Sequence, residues 1–115
     1  MCPRFVFAYK KVEVEYKPHL GKAVVHVYLA YVNRKKELKL VKLRDYRLTK
    51  TDLEKLSRGE IPKKLVSSGT AEEQREILED LTVRIDPKAV LAELLRQEER
   101  LHAALNRFLH ERKEW

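Results

Sequence analysis

The sequence of 115 residues carries 25 Lys/Arg against 18 Asp/Glu, a formal charge of +7, with 43% apolar residues and only three Gly and four Pro. That size and apolar content suit one domain with its own core and exclude collagen-like, linker-like or wholly disordered chains. The single cysteine, Cys2, excludes an internal disulfide framework and a zinc knuckle and points to a reducing, cytoplasmic setting.

The charge is unevenly spread. Residues 1–65 hold 17 Lys/Arg against 7 Asp/Glu, whereas 66–115 hold 8 against 11. Such blocks bear on partners rather than on packing, because a fixed positive field attracts polyanions. Charged residues reach 37% while Asn and Gln number two each, a balance that leads us to expect a thermophilic source.

Phe5-Val6-Phe7-Ala8-Tyr9 is too short before Lys10-Lys11 for a signal-peptide core or a membrane span, and reads as a buried strand. Alternation continues through Val12, Val14 and Tyr16 with a slip of phase at the two lysines, where a β-bulge would keep all six apolar residues on one face. Pro18-His19-Leu20-Gly21 forms a turn. Ala23 to Val32, apolar on both faces, is the expected central strand. The polar Asn33-Arg34-Lys35-Lys36 closes a hairpin, and Leu38 to Arg44 returns as a third strand. A second slip at Leu40-Val41 predicts another bulge, turning Lys39, Lys42 and Arg44 outward together. A three-stranded antiparallel meander needs helices over one face, so the fold class is α+β.

Thr51-Asp52-Leu53-Glu54 reads as a capping box opening a short helix that Gly59 ends. Ile61-Pro62 is extended, 63–69 is a loop, and Thr70 with Glu73 opens a second helix through Ile77, Leu78 and Leu81. Asp86-Pro87 starts a long helix of about 87–113. The expected organisation is a single domain over 1–115, with a basic meander over 1–48 and a helical part over 49–115.

Three functional readings follow. The first is a non-enzymatic nucleic-acid-associated or nucleoprotein-accessory protein. Phosphate contact needs several cations on one surface, and Arg34, Lys35, Lys36, Lys39, Lys42, Arg44 and Arg47 supply them, with Tyr28 beside them for base stacking. Glu13 and Glu15 share that expected face and weaken its field. RNA and DNA are not distinguished, and no RNA-recognition or KH-type motif is present. The second reading is a protein-interaction module, a small regulator, inhibitor or homodimer, acting through the long helix at Leu101, Leu105, Phe108, Leu109 and Trp115.

The third is a degenerate metal-dependent nuclease, from Glu15-Tyr16-Lys17 with Glu13. Its carboxylates come from one strand, whereas a divalent ion needs ligands converging from several segments. His19, His26, His102 and His110 have no ligand spacing, Cys2 lies too near the terminus for a positioned nucleophile, and no Gly-rich phosphate loop exists. No metal or cofactor is expected.

Overall fold

A computed structural model describes residues 5–112, with side chains over 8–111. Three antiparallel strands, β1 (Phe5–Lys17), β2 (Lys22–Asn33) and β3 (Leu38–Thr49), form a meander of order β1-β2-β3, so the doubly apolar strand is central. Helices α1 (Lys50–Ser57), α2 (Ala71–Leu78) and α3 (Pro87–Arg112) follow. Among the described residues no helix is long and apolar enough to cross a membrane.

Register divides the sheet into a helix-covered and an open face. On β2 the alternate residues Ala23, Val25 and Val27 are wholly buried. Their cross-strand partners Tyr16, Val14 and Val12 on β1, and Leu48, Tyr46 and Arg44 on β3, share that side. Leu53 and Leu56 of α1, Ile77 of α2, and Val90 and Leu94 of α3 complete this core. Each fully buried leucine contributes about 2 kcal/mol. The core lies at one end of strands twelve to thirteen residues long, and the end carrying the β2–β3 hairpin extends beyond it. There Tyr9, Leu38, Leu40, Val41 and Leu43 are each 43–62% exposed.

Both expected bulges are misplaced. Pairing of β1 with β2 runs without interruption from Phe7 to Lys17, and the only irregularity lies between Phe5 and Phe7. The slip of phase at Lys10-Lys11 marks instead where the apolar side chains change faces: Tyr9 lies on the open face and Val12 on the covered one. Lys10 therefore points inward, where its Nζ lies 3.1 Å from Oδ1 of the fully buried Asp80. On β3 the extra residue is Leu43, between Lys42 opposite Tyr28 and Arg44 opposite Val27. This strand also continues five residues past the expected end, because Tyr46 and Leu48 extend the buried alternation.

Helix starts follow side-chain acceptors. The cap of α1 is Thr49 rather than Thr51: Thr49 Oγ1 accepts from the Asp52 amide at 3.2 Å, and Asp52 Oδ2 accepts from the Thr49 amide at 2.9 Å. This reciprocal box leaves two fewer amides unsatisfied at the helix start. Burial opposes ionisation of Asp52, but Lys64 and Thr49 outweigh it and hold the carboxyl below its ordinary value. Gly59 ends the helix at φ 80° as expected, and the loop over 63–69 contains one short turn, Lys63–Leu65. Thr70 caps α2, and Lys88 N donates to Asp86 Oδ1 at the start of α3.

Between α2 and α3 the chain widens into a π-helical turn, Glu79–Val83. This turn buries the consecutive residues Asp80 and Leu81. Asp80 accepts from Tyr46 Oη at 3.0 Å as well as from Lys10, and Arg84 Nε stands 3.9 Å away. Burial and the neighbouring carboxylate push the Tyr46 phenol up to about 12, although Arg44 pulls the other way. Removing one partner of a buried ion pair leaves the other charge uncompensated. Asp80→Ala should therefore destabilise the fold by about 3 kcal/mol, and Tyr46→Phe by about 1 kcal/mol, in urea unfolding. A loss below 1 kcal/mol for Asp80→Ala would show that the node is not structural.

Candidate nucleic-acid interface

The hairpin tip is built from its own polar groups. Asn33 Oδ1 accepts from the amides of Lys35 and Glu37, both at 3.0 Å, and Lys36 adopts φ 62°, a left-handed conformation that reverses the chain. Asparagine suits the first position because its short side chain mimics a backbone turn. The result exposes Arg34, Lys35 and Lys36 in succession, none ion-paired to a described residue.

Below the tip, the open face carries Tyr9 and Lys11 on β1, His26 and Tyr28 on β2, and Leu38, Leu40, Lys42, Asp45 and Arg47 on β3. Tyr9 stands opposite Ala30, diagonal to Tyr28. Lys42 Nζ lies 5.8 Å from the centre of the Tyr28 ring, a cation–π contact, so Tyr28 is a half-buried open-face residue rather than part of the core.

The expected basic trio is split. Only Lys42 lies with His26 and Tyr28. Arg44 is on the covered face, donating to Tyr46 Oη at 3.4 Å and bonded to Glu76 of α2. Lys39 stands opposite Tyr31, on the helix side of the sheet, with Nζ 3.2 Å from Glu37. The cause is the bulge at Leu43, which reverses the alternation between Arg44 and Lys42. Arg47 lies on the open face opposite Val24 and makes no ion pair to a described residue.

The acids of the open face are engaged internally. Glu13 pairs with Lys11 at 3.1 Å. Glu15 Oε1 lies 2.9 Å from His26 Nε2, and Asp45 Oδ1 lies 2.6 Å from His26 Nδ1 and 3.4 Å from Lys42. Thus Glu15, named in the third, nuclease reading, serves as a histidine partner. Among the described residues no group of three His, Cys, Asp or Glu side chains could hold a metal ion. The hydrogen bonds to Glu15 and Asp45 raise the His26 value, and those same bonds lower both carboxyls.

The expected partner surface on α3 also has a definite place. Leu94 is buried and Leu101 half-buried, while Leu105, Phe108 and Leu109 are 49–56% exposed along the same stripe of the helix. Trp115 and Cys2 lie outside the described residues. A separate polar cluster precedes α2, where the Glu73 carboxylate accepts from the hydroxyls and amides of Ser67 and Ser68. The Ser67 hydroxyl, then the Ser68 amide and the remaining donors, hold this carboxyl down to about 2.

No family model matches the chain, and no curated protein or solved structure matches it either.

The His26 bridge makes stability depend on pH. Because its folded value is raised, its stabilisation is complete below about pH 6.5, the ordinary imidazole value, and is lost as pH climbs through the raised one. The lowered values of Glu15 and Asp45 make their share complete above the ordinary carboxylate range and lost in acid. Thermal melts of wild type and His26→Gln should differ most in mildly acidic solution and converge as pH rises past the raised imidazole value. A difference independent of pH would contradict the bridge.

Proposed function

We propose that this protein is a non-enzymatic nucleic-acid-associated protein that grips phosphates with the β2–β3 hairpin tip and the open face of its meander. The observation that carries this reading is the tip itself: Arg34, Lys35 and Lys36 are exposed, without internal ion pairs to described residues, and held in one turn by Asn33. A preformed turn lowers the entropy lost when the cations meet a ligand. Release of condensed counterions then supplies affinity without base recognition.

The open face extends the same chemistry. Lys42 and Arg47 follow the tip cations along β3, and Tyr9 and Tyr28 offer rings for bases. Internal engagement of Glu13, Glu15 and Asp45 reduces their repulsion of phosphate. Arg44 and Lys39 are left out of the contact set because they lie on the other side of the sheet.

Labelled single- and double-stranded DNA and RNA should bind with affinity that falls as salt rises. Replacing Arg34, Lys35 and Lys36 together by Ser should weaken binding to all sequences and reduce the slope of log K against log salt by about 2 to 3. Arg44→Gln should leave that slope unchanged. Absence of binding at low salt would refute the reading.

A second reading, a protein-interaction module, is favoured by the exposed apolar stripe Leu105, Phe108 and Leu109 at the end of α3.

A further inference from the structure

The molecule is far from compact. Its radius of gyration is 18.8 Å, where a single-domain chain of this length averages about 13 Å. It exposes 8466 Å², whereas a compact monomer of 13.7 kDa exposes about 6,600 Å². Crediting the seven residues outside 5–112 with the surface of a fully extended chain still leaves an excess on the order of 1,000 Å². A standard interface covers about 800 Å² of each partner, so the excess is what a stable dimer needs to bury.

The surplus surface lies at two opposite ends. At about 3.4 Å per residue the strands reach roughly 40 Å, yet the longest dimension is 71 Å. The end of α3 contributes to the remainder. Glu98 is bonded to Lys50 at 2.8 Å, beside the β1–β2 turn, and every described residue from His102 onward is exposed. One pole therefore presents Leu105 and Leu109 on a helix. Toward the other pole, in the row that Lys10 begins on β1, Leu29 and Val41 pair across β2 and β3 on the same side of the sheet as the core. Val41 is 46% exposed.

We propose that the occupant of both surfaces is a second copy of this chain, laid antiparallel so that the end of α3 from each protomer covers the distal helix-side sheet of the other. Each patch continues a face that is buried within the protomer: the helix stripe continues Val90 and Leu94, and the sheet patch continues Val25 and Val27. In the dimer the helical layer extends over the whole sheet by the packing already used in the core. A two-fold axis satisfies both patches at once and closes the assembly, whereas a contact that buried only one would leave the other open for further addition. The open face and the Arg34-Lys35-Lys36 tip stay outside this contact, so dimerisation is independent of nucleic-acid binding.

Sedimentation equilibrium of the full chain should give a dimer. Val41→Glu and Leu105→Glu should each give a folded monomer by circular dichroism, since neither side chain is in the protomer core. A monomeric wild type at high micromolar concentration overturns the proposal, as does a dimer that survives either substitution. In a Cys2→Ser background, mixed Val41→Cys and Leu105→Cys chains should oxidise to a mixed disulfide. Dominant linkage between two Leu105→Cys chains would mean that helices pair with each other, and would overturn the arrangement.

Discussion

Asp80 is a carboxylate without access to water, and much of the molecule is arranged to keep it paired. Lys10 reaches it from one edge strand and Tyr46 from the other, while the residue itself comes from the π-helical turn that joins α2 to α3. An isolated buried charge costs several kcal/mol, so a chain that failed to bring these segments together would bury it at a loss. The node therefore couples the phase of β1, the inward alternation of β3 and the placement of the helical layer. Arg44 and Glu76 add a second bridge between sheet and α2 beside it.

That coupling explains which parts of the fold were legible in the sequence. The order of strands, the central position of β2, the caps at Thr70 and Asp86 and the long final helix rest on local chemistry, and local chemistry is written in neighbouring residues. The face taken by Lys10 depends on Asp80, seventy positions away. A lysine within a strand reads as outward by default, and nothing local announces a buried carboxylate waiting for it. The same limit applies at α1, where Thr49 and Thr51 are each followed by an acid three residues on. Burial of Asp52 and its bond to Lys64 distinguish the two candidate boxes.

The charge asymmetry between the two halves proves to be several things at once. Lys10 and Arg44 hold the sheet to acids in the helical half, Lys50 ties α1 to Glu98 of α3, and Lys64 from the loop after α1 pairs with Asp52 of that helix. Such cations satisfy internal charge and offer little field to a ligand. What remains outward is a smaller set that includes the hairpin tip and Arg47, with Lys22 and Lys63 also exposed and Lys42 shared with Asp45. Composition revealed that cations were in excess, while only register could separate those retained by the fold from those left over.

The bulge at Leu43 has a consequence for how β3 encodes its surfaces. Tyr46 and Leu48 are even-numbered and face the core, while Lys39 and Val41 are odd-numbered and lie on that same side. The extra residue works as a frame correction, letting two segments with opposite parity in sequence agree in space. A single inserted residue usually exchanges the faces of everything beyond it, but here the backbone absorbs it at one point. Excising Leu43 alone would give the strand one uninterrupted alternation while leaving Lys42 opposite Tyr28 and Arg44 opposite Val27, so the strand holds two reading frames and one three-dimensional message.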